Sequence, residues 1–388
     1  MSNSKISTKK NKKENIKKES YFDYSLLAVL VFLVCFGLIM LYSASSYDGL
    51  TTYGDSMHYL KRQLIFTVAG FIGVAAIIRI PTSFYYKTSG LWYGLALFLM
   101  ALVQSPLGKT VNGARRWIQL PGGQQLQPAE IAKIAVILFV PWFIIYMGKS
   151  YKKKGARLRV IVVGGIQAAG AMFLTDNLST ALIILGITAI ILVVSHPNTK
   201  SYIVAFLLAV SALVVGVIYF STHISTSTNF RVRRLLIWLS PESDPTGDGF
   251  QTLQGLYAIG SGGVFGKGLG NSTQKMVIPE VQNDMILSVI CEELGIFGAV
   301  MVLLLFGLLL YRLLFIIQNA PDLYSALVVT GIFAHIAIQV ILNIGVVTNL
   351  IPNTGVTLPF ISYGGTSTLF LLAEIGIALG VSKRIKIE

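Results

Sequence analysis

Charge is what this sequence has least of. Only 12% of its 388 residues are Asp, Glu, Lys or Arg, about half the share of a typical soluble domain. Acids are scarcer than bases, 17 against 31, so the formal net charge is +14. Cysteine is nearly absent. Cys35 and Cys291 sit in or near apolar runs far apart, which excludes a disulfide framework and a Cys/His metal cluster. The four histidines, His58, His196, His223 and His335, share no metal-ligand spacing. His335 reads as a packed core residue. No cleavable signal peptide is expected, because the first apolar run is too long and lacks a small-residue cleavage site.

Apolar sequence fills the space that charge leaves. Hydrophobic residues make up 54% of the chain and mean hydropathy is +0.70. Runs of about 18–22 apolar residues recur, each long enough to cross ~30 Å of hydrocarbon. The expected fold is an all-α polytopic membrane protein of about ten spans. They cover roughly 24–45, 64–80, 90–106, 129–147, 158–175, 178–195, 201–221, 285–311, 324–348 and 366–381. The first twenty residues, 1–20, are Lys-rich and polar. They read as a disordered cytoplasmic tail that touches anionic lipid rather than nucleic acid. With that tail inside, Arg79 and Lys87, the 149–159 cluster, Lys200, Arg312 and Lys383–Lys386 also fall inside, as the positive-inside rule asks. Both termini are then cytoplasmic. No internal repeat suggests the inverted halves of a transporter.

That topology leaves three Gly- and Pro-rich segments outside: 107–128, the long loop 222–283, and 349–364. Such backbone must be buried in protein or line a wet cavity. Half-helices and re-entrant loops packed into a cleft are expected, with a short interfacial helix over 250–260. The outer cations need a reason of their own. Lys109, Arg115, Arg116, Arg231, Arg233, Arg234, Lys267 and Lys275 would suit an anionic ligand. Paired arginines favour phosphate or diphosphate over a sugar hydroxyl. Snorkelling to lipid headgroups is the alternative.

Ionisable residues at the spans narrow the site. Glu130 and Lys133 are three apart on one helix face, either a structural ion pair or part of a ligand site. Asp284 opens the eighth span at the level of the outer cleft. It is a candidate general base, or else a first-turn helix acid. Glu292 and Glu293 lie about 12–14 Å deeper. The run GSGGVFGKGLG, 260–270, lacks the spacing of a nucleotide phosphate loop and reads as flexible or tightly turning backbone. Gln339 and Asn343 make interhelical hydrogen bonds or line the cavity. Glu374 has no evident partner.

Four stretches together resemble the SEDS family (shape, elongation, division and sporulation). They are NGARRWI at 112–118, QPAEIAK at 127–133, the long run 250–295 ending in PEVQNDMILSVICEELG, and IPNTGVTLPFISYGGTS at 351–367. They punctuate nearly the whole of 21–388. The adjacent Arg115 and Arg116 are more similar to the FtsW-like division branch than to the elongation branch, and a sporulation paralogue would look nearly the same. The resemblance implies a peptidoglycan glycosyltransferase that polymerises lipid II and releases undecaprenyl diphosphate. It implies Asp284 as catalytic residue. Glu130, Lys133, Arg115 or Arg116, and Ser362 would belong to the substrate site, with Arg115, Arg116, Lys133 and either Arg231 or Lys275 neutralising the diphosphate. It implies no certain cofactor, leaving a divalent cation open. The implied partners are a class B penicillin-binding protein and other divisome membrane proteins, and the implied location is the cell membrane at the septum. A lipid II flippase and a non-catalytic scaffold are the alternatives. One departure stands out. Where the family often has P-D-L-G-T, this chain reads TDNLST at 175–180, with Asn177 in place of the acid and Asp176 beside it.

Overall fold

The structure, a computed structural model, describes residues 21–111, 114–119, 125–153, 155–196, 230–247 and 249–386. The expected span 201–221 and the side chain of Arg231 fall outside them. The described helices are α1 (Tyr24–Tyr53), α2 (His58–Ile77), α3 (Thr82–Leu102), α4 (Pro128–Met147), α5 (Ala156–Phe173), α6 (Leu178–Ser195), α7 (Phe230–Leu239), α8 (Phe250–Gly262), α9 (Ile286–Asn319), α10 (Leu323–Val347) and α11 (Thr366–Ser382). Seven helices among the described residues are long and apolar enough to cross a membrane: α1, α2, α4, α5, α6, α9 and α10. The last, α11, is apolar but shorter. In α3, Lys87 and three tyrosines dilute the apolar run.

Local sequence explains where several helices begin. Asp23 caps α1 by accepting from the Leu26 amide at 2.8 Å, and Pro128 opens α4 where its missing N–H costs nothing. The 30 residues of α1 span about 45 Å, well beyond the ~30 Å of bilayer hydrocarbon. Segment 107–128, expected as helix and re-entrant loop, instead carries a three-stranded antiparallel sheet. It comprises β1 (Gly108–Val111), β2 (Ala114–Gln119) and β3 (Gln125–Leu126). Thr110, Val111, Trp117 and Ile118 favour the pleated form, and Lys109 pairs with Trp117 across it.

The longest helix, α9, is broken. Gly295 has φ 66° and ψ −159°, far from helical values. The glycine-rich run docks against this break through its backbone. The Lys267 amide donates to Glu292 O and the Gly268 amide to Glu293 O, both at 2.9 Å, while the Ile296 amide donates to Gly263 O at 3.0 Å. The approach is too close for side chains. A Cβ at Gly266 would lie 2.2 Å from Glu293 O, and one at Gly295 would lie 2.4 Å from Val264 O. The run is therefore tightly turning backbone with a fixed seat.

Glu292 and Glu293 hold the same loop by their side chains. The Lys267 ammonium donates to Glu292 Oε1 at 2.6 Å, and Thr273 donates to it from its hydroxyl at 2.9 Å. Ser272 Oγ donates to Glu292 Oε2. The Lys275 ammonium donates to Glu293 Oε1 at 3.2 Å, and Ser43 of α1 donates to Glu293 Oε2 at 2.6 Å. Both carboxylates are fully buried. Lys267 and Lys275, expected to serve an outer anion, are each held here by a buried carboxylate. Paired acids buried in an apolar bundle require paired bases. Deeper in the bundle, His335 Nδ1 and Glu374 Oε2 lie 2.8 Å apart, each 1% exposed. Glu374 thus has a partner, and His335 links α10 to α11.

Breaking one side of the double pair leaves a buried charge. Glu293→Ala should cost about 3–5 kcal/mol, while the double variant Lys275→Met with Glu293→Met should recover most of that loss. Unfolding midpoints in detergent check both.

Candidate functional site

A cavity of about 1120 Å³ opens where the sheet, α7, α8 and the 349–364 segment converge on the ends of the long helices. Among the described residues, three cations reach its wall: Arg116 from β2, Lys133 from α4 and Arg62 from α2. Glu130, Glu280 and Asp284 reach it as well.

The sheet separates the two adjacent arginines. Successive strand residues point to opposite faces. Arg116 lines the cavity, and its Nη2 donates to the Asp176 carbonyl at 3.0 Å. Arg115 turns away and donates to the Ser105 carbonyl at 2.5 Å. On α4, the i, i+3 spacing brings the Lys133 ammonium 2.8 Å from Glu130 Oε1, both side chains nearly buried. Glu130 thereby holds Lys133 against the cavity wall.

Asp284 sits just ahead of α9 and is 8% exposed. Its backbone carbonyl accepts from Asn343 Nδ2 at 2.8 Å, and the same amide group donates to Val356 O at 2.8 Å. Gln251 Nε2 of α8 lies 3.5 Å from Asp284 Oδ1, the outer limit of a hydrogen bond. Asn353 Nδ2 donates to Gln251 Oε1 at 3.1 Å, which orients that amide. A Cβ at Gly355, where φ is +66°, would stand 4.0 Å from Asp284 Oδ2. The carboxylate is thus bracketed by α8 on one side and the 349–364 segment on the other.

Other expected residues lie elsewhere. Ser362 is 3% exposed and accepts from the Leu358 amide at 2.9 Å. It closes the turn that presents Gly364 and Gly365 to the cavity. Lys275 is committed to Glu293. The altered TDNLST stretch has a local explanation. Asn177 is the N-cap of α6, accepting from the Thr180 amide at 3.0 Å, a task at which Asn and Asp are equivalent. Asp176 adopts a positive φ of 46° and offers its carbonyl to Arg116.

Sequence reasoning missed Arg62 and Gln63. It began the second span at 64, whereas α2 begins at His58. That extra turn puts Tyr59, Arg62 and Phe66 on one helix face toward the cavity. The 3, 4 spacing in the sequence was the available signal. Gln63 accepts from the Gly364 and Gly365 amides at 3.3 and 3.2 Å and donates to Thr368 at 2.8 Å, fixing the glycine turn. Burial pushes the phenol of neighbouring Tyr363 above its usual range, with Arg62 working the other way. Among the described residues, no group of three or more His, Cys, Asp or Glu side chains could hold a metal ion. The cavity can bind a multiply charged anion and offer a carboxylate in the same space.

Comparison with known proteins points the same way. The sequence pattern of the FtsW/RodA/SpoVE family, described as cell cycle protein, matches residues 24–387. Stage V sporulation protein E of Bacillus subtilis is 37% identical over 94% of this chain and 98% of its own length. A probable peptidoglycan glycosyltransferase FtsW of Trichlorobacter lovleyi is 36% identical over 94% of each chain. A chain from a structure on the coordination of polymerization and crosslinking by a peptidoglycan synthase complex superposes with TM-score 0.77. It is 26% identical and the match covers 95% of this chain and 99% of that one. The rod shape determining protein RodA of Thermus thermophilus superposes with TM-score 0.67 at 25% identity, over 95% of this chain and 98% of that one.

If Asn177 acts as a cap, Asn177→Asp should leave the thermal midpoint nearly unchanged. Asn177→Ala should cost about 1 kcal/mol of stability. Thermal unfolding of the two variants in detergent measures the difference.

Proposed function

The chain belongs to the cell cycle protein family FtsW/RodA/SpoVE, and on that footing we infer that it is a peptidoglycan glycosyltransferase that polymerises lipid II. The observation that carries this reading is a single cavity lined by both Asp284 and the cations Arg116 and Lys133. Ten spans with both termini cytoplasmic, behind a basic tail at 1–20, would put that cavity on the outer side, where lipid-linked sugars are joined.

A donor strand tethered to undecaprenyl diphosphate binds with its diphosphate against Arg116 and Lys133, and Arg62 supplies a third cation. An acceptor lipid II binds beside it. Asp284 takes the proton from the acceptor's 4-hydroxyl, whose oxygen attacks C1 of the donor sugar. The C1–O bond to diphosphate breaks as the new glycosidic bond forms, so the α-linked donor gives a β-1,4 product. Diphosphate is a good leaving group. It needs its developing charge neutralised more than it needs a proton, so one carboxylate suffices. Glu130 takes part by holding Lys133 in place.

The flippase alternative asks for charges along a path through the bilayer. Among the described residues, the buried acids away from this cavity, Asp23, Glu292, Glu293 and Glu374, are each paired with a base, which disfavours it. For the setting, we propose septal wall synthesis beside a class B penicillin-binding protein, supported by relatives named FtsW and by the synthase-complex neighbour. Wall synthesis during sporulation is the second reading, favoured by the 37% identity to stage V sporulation protein E.

Asp284→Asn keeps the shape and removes the base. It should lower lipid II polymerisation by at least about 100-fold with the protein still folded. Polymerisation at the wild-type rate would refute the assignment. Of the adjacent arginines, Arg116→Ala should raise KM for lipid II markedly and Arg115→Ala much less. Equal effects would contradict the division of labour drawn from β2.

A further inference from the structure

The cavity wall formed by α1 and α2 holds more than the cation Arg62. It carries a cluster of rings. Tyr53, the last residue of α1, stacks on His58 with centroids 3.9 Å apart and planes 1° from parallel. Tyr59 stands edge-on to both, at 5.9 Å from Tyr53 and 5.5 Å from His58. Tyr363 in turn meets Tyr59 edge-on at 5.1 Å. The cluster is braced from below. The Tyr59 hydroxyl donates to Asp48 Oδ2 at 2.7 Å, and Gln282 Nε2 donates to the same oxygen at 3.0 Å. Tyr53, Tyr59 and Tyr363 all line the cavity. One face of Tyr53 is taken by His58, yet the residue is 53% exposed.

Position and chemistry together identify an occupant. A helix of about 45 Å that starts at one membrane surface carries its last turns beyond ~30 Å of hydrocarbon. Tyr53 therefore belongs to the aqueous mouth of the cavity and not to its lipid-facing part. An alkyl tail calls for a dry aliphatic wall, and a diphosphate calls for cations. A rigid, half-wet ring surface suits a ligand with flat patches of C–H edged by polar groups. Aromatic side chains offer that contact area with little rotamer entropy to lose. Pyranose rings in a β-1,4-linked amino-sugar strand present this surface at every residue.

We propose that Tyr53, backed by His58 and Tyr59, is a saccharide-stacking subsite that holds the glycan strand at the cavity mouth. This rests on the glycosyltransferase reading and adds a binding surface to it. Each product strand must stay near the site while the next lipid II arrives. A ring contact at the mouth retains the strand after its diphosphate has been exchanged.

The test separates strand binding from chemistry. Chitotetraose, a lipid-free β-1,4-linked N-acetylglucosamine tetramer, is titrated against the purified full-length protein by saturation-transfer NMR. Wild type and Asp284→Asn should both bind it. Tyr53→Ala should bind about fivefold more weakly, the scale of one aromatic contact, and Tyr53→Phe should bind like wild type because the ring face carries the contact. In polymerisation assays Tyr53→Ala should shorten strands more than it slows lipid II consumption. Undiminished binding by Tyr53→Ala, equal loss in Tyr53→Phe, or no binding by the wild type overturns the subsite. Loss of binding in Asp284→Asn alone would place the saccharide elsewhere. Polymerisation by Asp284→Asn at the wild-type rate would fault the base and leave this result standing. Tyr53→Leu, with its melting curve, guards against a folding defect.

Discussion

Two adjacent carboxylates buried in one helix organise the active end of this protein. Neither Glu292 nor Glu293 can remain charged in an apolar bundle without partners. Satisfying them draws in Lys267, Ser272, Thr273 and Lys275 from one loop and Ser43 from α1. Adjacent helix residues point about 100° apart, so the pair grips the loop and α1 in different directions. The same loop meets the broken turn at Gly295 with backbone hydrogen bonds. Loop, α1 and the first third of α9 therefore form one body, and Asp284 stands at its edge. The position of the proposed base depends on charges well below it.

A division of chemistry follows around the cavity. Cations from β2, α4 and α2 line it, where the proposed diphosphate would lie. Amide side chains position the acid in relay: Gln251 reaches its carboxylate, Asn353 orients Gln251, and Asn343 holds its backbone carbonyl. Rings gather at the mouth. Glycines at 355, 364 and 365 keep the 349–365 stretch thin where it meets the acid and the cavity.

Much of this was legible in sequence, for identifiable reasons. Apolar run length marks spans because hydrocarbon sets a minimum length. Glu130 and Lys133 could be paired because a helix makes neighbours of residues three apart. Asp284 was visible as an acid at a span end. The rest depended on contacts between distant segments. Lys267 and Lys275 looked like ligand cations because their acids are 25 and 18 residues away. His335 and Glu374 are 39 residues apart on different helices, and neither suggests the other. The two arginines could be told apart only once ARRW was known to be strand, where neighbours diverge. Loop composition had suggested helix and coil there.

The break at Gly295 also bears on how the protein meets its bilayer. The residues after it, 296–319, make a rod of about 36 Å, longer than ~30 Å of hydrocarbon. Such a rod tilts when the membrane thins and straightens when it thickens. In a continuous helix that tilt would pass directly to Asp284. Here the rod ends at a joint splinted by the docked loop, and the segment above it is fastened elsewhere. The loop that splints this joint bonds the upper segment at Glu292 and Glu293 and the rod at Ile296 and Phe297, so it is the element through which a lean of the rod would reach the cavity.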